Sequence, residues 1–387
     1  MLDTQSTYQG KLLFLFFVMM VSLFLITGCE QPEKAEMQQK KNQETEASEP
    51  SAPPDNAENR NVKPIRIKEG EFQGANGWLS DDKIVYTVSE GTASRVFSYN
   101  LFSGDQNLLY ESSHPIASVT VSPAGKYILI RTSPGTYEGT LTAIKANGKV
   151  VWEKNISGFD FAVEWNPYHE ESLLISSFTE DWDFTSYHID IAKGTSEELN
   201  LREPFAKWGD SNHLFFLDWG NENPSLFAPL VKQSIDGNNE TKVLADIFQF
   251  DAAKDRLMTI TVPADQSDQA MYTFMDNDFR KLSSISVPHL TRFSDWLVPY
   301  YDWTPQGIIT FQPLYSAESD MYAGGFQLIS VDSETGDKEV LLEDMENAPL
   351  SCSPNGTACL AGFYLEELIM PDKREIFRLV EHNDKSS

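Results

Sequence analysis

The sequence predicts an all-β fold, a β-propeller of seven four-stranded blades with six blades as the alternative, and three observations predict it. An aromatic or apolar anchor recurs at intervals of 42 to 53 residues, close to the repeat length of propeller blades. A polar turn and then an apolar or β-branched run follow each anchor. Most intervals also contain a second tight turn rich in glycine or asparagine. The seven anchors are Trp78, Val121, Trp165, Trp208, Phe250, Trp303 and Cys352.

Each interval predicts four strands, a to d, with tight turns between a and b and between c and d. The connections between b and c, and between d and the next a, are longer. A two-sheet β-sandwich also contains short strands and regular turns, but it does not repeat seven units of nearly constant length. The spacing therefore favours the propeller over the sandwich, with residues 62–387 forming the domain.

The two ends of the domain complete the predicted ring. The last unit begins at Cys352 and lacks a fourth strand, since only polar residues follow Val380. Residues 62–68 alternate apolar with basic side chains, as a half-buried strand does. Because ring closure removes unpaired strand edges, we expect residues 62–68 to pair with residues 374–380 as the outer strand of the last blade.

Residues 1–28 have the features of a secretory signal peptide. Lys11 precedes sixteen uncharged residues, a run slightly too short to span a bilayer, and small residues follow. The stretch Leu25-Ile26-Thr27-Gly28-Cys29 resembles the lipobox of bacterial lipoproteins. The resemblance implies that Cys29 carries a lipid with palmitate-like acyl chains. Membrane lipid would then be a partner, and the protein would lie on the extracytoplasmic face of the cell membrane.

Residues 29–61 predict a disordered tether, because they contain almost no bulky apolar side chain. This tether carries eight acids and four bases, whereas the whole chain has a net charge of −28. The folded part therefore keeps a charge of −24. Such acidity argues against nucleic acid as a partner, since phosphate binding requires clustered lysine and arginine. It also argues against a broad electrostatic contact with anionic lipid.

Sequence motifs indicate no catalytic site, no metal site and no cofactor. The serine elbow, the phosphate-binding loop and the zinc-binding HExxH pattern are all missing from the sequence. Cys352 and Cys359 flank the last a–b turn. A two-residue loop would place them face to face for a disulfide, whereas a bulged turn would point them to opposite faces. Both outcomes stay open from the sequence.

The longer connections supply the candidate ligand face. They are rich in aromatic and acidic residues, a combination that suits cationic peptides, sugars or quaternary amines. The alternative is that these rings pack down over the blade ends. The candidate residues are Asp181, Trp182, Asp183, Trp219, Trp296, Tyr300, Asp320 and Tyr322.

The repeats resemble those of TolB-like and WD40-like propellers, in which a Ser-Pro-Asp-Gly-Lys-type turn joins strands a and b. The best matches are Ser122-Pro123-Ala124-Gly125-Lys126 and Ser353-Pro354-Asn355-Gly356. The whole chain is similar to the YqgU-like propeller lipoproteins of Gram-positive bacilli, which supply no activity to transfer. We expect a non-enzymatic module that binds an envelope protein, peptide or glycan. The rival hypothesis is a glycan-processing hydrolase or lyase with its site in the propeller channel.

Overall fold

Strands form almost all of the regular structure in the computed structural model, which describes residues 61–220 and 225–381. All of these residues belong to one unit, 58–387. The described residues contain seven four-stranded antiparallel sheets, numbered here in chain order. The predicted signal peptide, Cys29 and nearly all of the tether lie outside the described residues.

The first three sheets follow a short initial strand. That strand is β1 (Ile65–Arg66). Sheet 1 consists of β2 (Glu71–Ser80), β3 (Lys83–Glu90), β4 (Ala93–Asn100) and β5 (Gln106–Ser112). Sheet 2 consists of β6 (Ile116–Val121), β7 (Tyr127–Gly135), β8 (Glu138–Lys145) and β9 (Val150–Ser157). Sheet 3 consists of β10 (Asp160–Trp165), β11 (Ser172–Phe178), β12 (Phe184–Asp190) and β13 (Thr195–Leu199).

Sheets 4 and 5 continue the pattern, and a small extra sheet begins after them. Sheet 4 consists of β14 (Lys207–Trp208), β15 (His213–Leu217), β16 (Ala228–Ser234) and β17 (Glu240–Ile247). Sheet 5 consists of β18 (Gln249–Ala253), β19 (Arg256–Thr261), β20 (Gln269–Met275) and β21 (Lys281–Pro288). The extra sheet begins with β22 (Leu290–Thr291) and β23 (Trp296–Leu297).

Sheets 6 and 7 complete the set. Sheet 6 consists of β24 (Tyr301–Trp303), β25 (Gly307–Pro313), β27 (Phe326–Asp332) and β28 (Lys338–Met345). Between its second and third strands lie β26 (Ala317–Glu318), which pairs with β22, and a 3-10 helix (Ser319–Met321). Sheet 7 consists of β29 (Leu350–Cys352), β30 (Cys359–Ala361), β31 (Glu367–Met370) and β32 (Glu375–Arg378), with a 3-10 helix (Pro371–Lys373) before the last. The final strand is β33 (Val380–Glu381).

The chain therefore folds as an all-β propeller, as the repeats predict. Strand b of each sheet is apolar over successive positions because neighbouring sheets cover both of its faces. In β11, for example, every residue is buried. Outer strands are mostly exposed, as in β13 and β32. This gradient from buried strand b to exposed strand d places the core between the sheets.

The anchors hold neighbouring sheets together through their indole N–H groups. Trp165 donates to the Thr120 hydroxyl at 3.2 Å, and Trp208 donates to the Glu164 carbonyl at 3.3 Å. In each case the acceptor lies on strand a of the preceding sheet. A buried indole N–H needs such a partner, so the recurring tryptophan both fills space and fixes the position of the next sheet.

One anchor assigned from the sequence is wrong. Each structural anchor pairs with the first buried residue of strand b that has a large apolar side chain or, in sheet 7, with Cys359, as Trp208 does with Leu214. In sheet 5 the residue in that place is Ala252, which pairs with Leu257, and not Phe250. The small alanine replaces the aromatic ring, and this hid the true register.

Glycine is required in the Ser-Pro turns. Gly125 has a φ of +69°, and a Cβ at this position would collide with the Leu79 carbonyl of sheet 1. Its N–H donates to the Ser122 carbonyl at 2.8 Å. Glu170 of sheet 3 then accepts hydrogen bonds from the Ser122 hydroxyl and, at 2.8 Å, from the Ala124 N–H. The turn motif therefore contacts both neighbouring sheets.

Sheets 1 and 7 are in contact with each other. The Trp78 indole donates to the Ser351 carbonyl at 2.9 Å, and the Asn355 N–H donates to the Asp81 carboxylate at 2.8 Å. Both contacts have counterparts between other sheets. The Trp78 bond corresponds to the indole bonds of the other tryptophan anchors, and the Asp81 bond corresponds to that of Glu170 with the Ser122 turn. The junction between the two ends is thus built like the others.

The predicted closing strand is wrong in its position. Residues 62–68 are not the outer strand of sheet 7, because residues 375–378 supply it. Positive φ values at Gly362 and Leu365 turn the chain after β30 and make room for β31, a strand that the sequence does not reveal. The chain ends still meet. Strand β1 pairs in parallel with β33, with Ile65 opposite Val380.

Candidate functional site

Strand a of every sheet faces the central channel, and the residue before each structural anchor points into it. Four structural anchors are tryptophans, and the residues directly before three of them are charged: Glu164, Lys207 and Asp302. Asp251, which precedes Ala252, is the fourth. Because side chains alternate along a strand, an anchor that packs between sheets forces its neighbour toward the channel. The repeat itself therefore gathers the four charges.

Lys207 lies at the centre of this charged cluster. Its ammonium nitrogen is 3.0 Å from Glu164 Oε2 and 3.3 Å from Asp251 Oδ1. The second oxygen of Asp251 accepts a hydrogen bond from the Trp303 indole at 3.0 Å. The anchor of sheet 6 thus orients the carboxylate of sheet 5 toward the lysine of sheet 4.

Asp302 differs from the other two carboxylates. It accepts backbone hydrogen bonds from Trp303, at 2.9 Å, and from Cys352. Within residues 61–220 and 225–381, it forms no ion pair within 4.0 Å. The cluster therefore holds three carboxylates and one ammonium group, and Asp302 is the carboxylate without a direct cationic partner.

Burial sets the protonation of the cluster. It raises the pKa of Glu164 to about 7, and the nearby Lys207 offsets only part of this. It also raises the pKa of Asp302 to about 6. Burial alone lowers the pKa of Lys207, but the charges of Asp251 and Glu164 outweigh that effect and the pKa is raised. Near neutral pH the lysine is charged and Glu164 is partly protonated.

The cluster opens into a cavity of about 860 Å³. Residues of the a–b turns of sheets 2, 3, 5, 6 and 7 surround it, so it opens on the face that carries the tight turns. Its wall includes Trp78, Trp165 and Trp303. The volume lies in the range of about 300–1,000 Å³ typical of small-ligand sites. Charged groups within an aromatic wall can orient a polar ligand.

The predicted ligand face lies on the opposite end of the propeller. Its residues fall in b–c or d–a connections, whereas the cavity is bounded by a–b turns. Asp181, Trp182 and Asp183 are exposed in the b–c connection of sheet 3. Trp219 and Tyr300 are 42% and 43% exposed. Asp320 is exposed in the 3-10 helix of sheet 6.

Two predicted ligand residues are packed instead. Trp296 lies 4.6 Å from Phe248 and 4.9 Å from His289 between ring centroids. Tyr322 donates its hydroxyl to the Gly325 carbonyl, and its ring lies 4.9 Å from that of Tyr315. Both rings belong to the region around the extra three-stranded sheet. For these two residues the structure favours the packing alternative over a free ligand surface.

Cys352 and Cys359 form a disulfide. They are directly opposite each other in the pairing of β29 with β30. The turn between them does not shift the strand pairing by one residue, because the Ser353 N–H donates a hydrogen bond to the Ala358 carbonyl at 2.7 Å. The bond fixes the hairpin whose first residues border the cavity.

Comparison with known proteins identifies the family. Residues 100–362 match the family described as the YqgU-like 6-bladed beta propeller domain. The chain belongs to this family. The match starts at the end of β4 and stops after β30, so it leaves out the first strands of sheet 1 and the last strands of sheet 7.

Individual relatives agree with this assignment. The chain is 24% identical to the uncharacterized lipoprotein YqgU of Bacillus subtilis (strain 168), over 94% of this chain and 96% of that protein. The structure resembles that of the uncharacterized protein lmo1340 from Listeria monocytogenes EGD-e, with a TM-score of 0.77 and 22% identity over 84% of this chain and all of the other.

A more distant structure shows the fold alone. The β-propeller domain of the Trilobed protease from Pyrococcus furiosus matches with a TM-score of 0.56 and 13% identity, over 82% of this chain and all of that domain. That domain is described as having an open velcro topology.

The described residues contain neither a metal-binding cluster of side chains nor a membrane-spanning helix. No group of three or more histidine, cysteine, aspartate or glutamate side chains there is arranged to hold a metal ion. No helix in the same part of the chain is long and apolar enough to cross a membrane.

Sequence reasoning missed the channel cluster, although a signal was present. Glu164, Lys207 and Asp302 each directly precede a tryptophan anchor. Alternation along strand a would have placed all three in the channel. The many other acids of the chain hid this regularity, and the misplaced anchor at Phe250 hid Asp251.

Proposed function

We propose that this protein is a lipid-anchored binding protein on the extracytoplasmic face of the cell membrane, and that its channel cavity receives a primary ammonium or guanidinium group. The observation that carries the proposal is that the cluster of three carboxylates and one lysine lines an open cavity, with only two of the carboxylates paired to the lysine. A buried carboxylate without a cationic partner is costly, and a cationic ligand group would neutralise it. The natural ligand would be an envelope protein, a peptide or an amino-bearing glycan.

The anchor follows from the lipobox and from the family. The Bacillus subtilis relative is a lipoprotein. In this chain Cys29 would carry the lipid. Two or three acyl chains give stable anchoring, since each buried CH₂ contributes about 0.8 kcal/mol.

Each of the seven sheets, we infer, is one blade, so that this chain has seven blades where the family description has six. The inference rests on the Trp78 contact between sheets 1 and 7, which has the same form as the contacts between other neighbours. The family match omits strands at both ends of the chain. Those strands are the ones that complete sheets 1 and 7.

The channel does not support the rival proposal of a glycan-processing enzyme. Glycosidases need two carboxyl groups placed on either side of the bond that breaks. Here Glu164 and Asp251 share the same ammonium group of Lys207. Asp302 is hydrogen-bonded to two backbone amides. This arrangement supports the binding of a charged group rather than hydrolysis.

Replacing Cys29 with serine is expected to remove the anchor. Serine has no thiol to receive the lipid, so the protein should leave the membrane fraction or accumulate as a precursor of higher mass. Fractionation and mass spectrometry of the variant measure this. A variant that fractionates and migrates like the wild type would refute the lipoprotein assignment.

Cadaverine, a diamine with a lysine-like chain, is expected to bind the purified full-length protein saturably at pH 7.5. Asp302→Asn should weaken its binding at least about tenfold, equal to about 1.4 kcal/mol. The amide keeps the shape of the carboxylate but removes its charge. Isothermal titration calorimetry of both proteins provides the measurement.

Two controls separate a charge site from a nonspecific cavity. Pentane-1,5-diol has the same chain without the charges and should not bind. Asp320→Asn removes a carboxylate on the opposite face and should leave the affinity for cadaverine unchanged. Equal affinity for the diol, or an equal loss in the two variants, would contradict the proposal.

A further inference from the structure

The b–c and d–a connections carry most of the exposed apolar surface. Twelve large apolar side chains with at least 42% exposure lie there, and the remaining three lie in outer strands. Among the described residues, the a–b and c–d turns carry none. The twelve residues are Tyr137, Phe159, Trp182, Phe205, Trp219, Phe293, Tyr300, Leu314, Tyr315, Met321, Phe363 and Tyr364. Exposed apolar surface concentrated on one face marks a contact surface.

Five of these rings form a continuous arc. Five successive connections, from the b–c connection of sheet 2 to that of sheet 4, each present one exposed ring. We define the aromatic arc by these rings, which are Tyr137, Phe159, Trp182, Phe205 and Trp219.

Contacts between the connections hold the arc together. Buried Phe178 lies 5.7 Å from Trp182 and 5.6 Å from Phe205 between ring centroids. The Phe159 N–H donates to the Phe178 carbonyl at 2.7 Å. The Trp219 N–H donates to Glu203, which lies in the same connection as Phe205. Ring contacts and hydrogen bonds therefore link the connections that carry these rings.

Trp182 combines an unusual backbone conformation with an exposed side chain. Its φ is +64°, a left-handed conformation that a bulky residue rarely adopts, and its side chain is 65% exposed. The turn is fixed by the Thr179 N–H, which donates to the Asp183 carbonyl at 2.8 Å. Strain of this kind is found at ligand contacts more often than elsewhere. A tryptophan kept in solvent in this way is suited to anchor a partner.

The charges around the arc indicate the partner. The b–c and d–a connections contain only two lysine or arginine side chains among their described residues, Arg202 and Arg292, and both are paired with acids. Their acids are Glu180, Asp181, Asp183, Glu203, Asp218, Asp265, Asp268, Asp295, Glu318, Asp320, Glu346 and Glu366. This excess complements a basic surface and repels an anionic lipid surface.

We infer that the aromatic arc docks a polypeptide partner that presents basic residues beside apolar ones. Its rings would pack on the apolar side chains of the partner, and Asp181 and Asp183 would face the basic ones. This site is separate from the channel cavity, which opens at the other end of the propeller. It goes beyond the proposed function and does not depend on it.

A direct test uses the full-length protein and a fluorescent twelve-residue peptide that alternates lysine with leucine and glycine. Trp182→Ala with Phe205→Ala is expected to weaken binding at least tenfold by fluorescence anisotropy. A peptide with glutamate in place of lysine should not bind. Phe363→Ala with Tyr364→Ala removes two equally exposed rings from sheet 7 and should change the affinity less than twofold.

A charge-only variant covers the case in which the ring variant folds poorly. Asp181→Asn with Asp183→Asn should weaken binding about threefold in 50 mM salt and not at all in 500 mM salt, where surface charges are screened. Because lysine side chains can also enter the channel, the arc variants are also compared in the Asp302→Asn background. There they should weaken peptide binding by the same factors, which separates this site from the channel.

Three results would overturn the inference. The first is equal binding by the wild type and by both arc variants. The second is loss of peptide binding in Asp302→Asn alone, which would assign the peptide to the channel. The third is binding to phosphatidylglycerol vesicles that the ring variant reduces while peptide binding persists, which would assign the arc to the membrane surface.

Discussion

Replacing Lys207 with methionine is expected to destabilise the propeller by about 2–3 kcal/mol at pH 8 and by much less at pH 5. Removing one partner of a fully buried ion pair costs about 3–5 kcal/mol. The expected loss is smaller here because the Lys207 side chain keeps 35% of its surface exposed. The variant leaves Glu164 and Asp251 without the ammonium group that neutralises them.

The pH dependence follows from the carboxylates. Burial already raises the pKa of Glu164 in the folded protein above its value in the unfolded chain. A carboxyl group whose pKa is raised by folding stabilises the fold at pH values below its pKa in the unfolded chain. This stabilisation is lost as the pH rises through the pKa of the same group in the folded protein, which is about 7 for Glu164. Without Lys207 this loss should become steeper between about pH 4.5 and pH 8.

Urea unfolding at the two pH values measures the effect. Lys254→Met is the matched control, because Lys254 is exposed on the same rim of the cavity. It should change stability by less than about 0.5 kcal/mol. An equal loss at pH 5 and pH 8 for Lys207→Met would show that the lysine contributes by packing alone.

Replacing Ile65 with alanine is expected to cost about 2–5 kcal/mol, the usual penalty for truncating a buried isoleucine. Ile65 is completely buried, and its N–H donates to the Leu379 carbonyl at 2.7 Å. It belongs to a core cluster that includes Ile84 of sheet 1 and Leu360 of sheet 7. A cavity at this point would loosen the junction at which the chain ends meet.

The neighbouring residue provides the control. Arg66 forms an exposed ion pair with Glu381, so Arg66→Ala should change stability far less than Ile65→Ala does. Deletion of residues 1–70 should destabilise the ring more than Ile65→Ala, whereas deletion of residues 1–60 should leave the melting temperature unchanged. Equal melting temperatures for the two deletions would refute a role for this segment in closure.

The fold was predictable because the repeat is periodic in chemistry as well as in length. Trp78, Trp165, Trp208 and Trp303 each donate a hydrogen bond to the preceding sheet, so the same requirement recurs in the sequence. The last sheet was not predictable in detail. Its breaks depend on the φ values of Gly362 and Leu365, and a positive φ at leucine has no sequence signature.

The two sites differ in how far the sequence reveals them. Trp182 and its acidic neighbours were predictable as loop residues, because aromatic side chains in long polar connections are conspicuous. Trp296 looks the same in the sequence, yet it packs against Phe248. Only the tertiary fold distinguishes these two tryptophans. The channel cluster required the strand register, since its charges lie 43 to 51 residues apart along the chain.

Proton release on cadaverine binding tests the proposed channel site most directly. A cation beside Asp302 should lower the pKa of this carboxyl from about 6, so binding at pH 6 should release protons. Calorimetric titrations at pH 6 in two buffers with different ionisation enthalpies measure the number released. The wild type is expected to release protons, and Asp302→Asn is expected to release clearly fewer. Binding without proton release, or equal release by the two proteins, would contradict the proposed channel site.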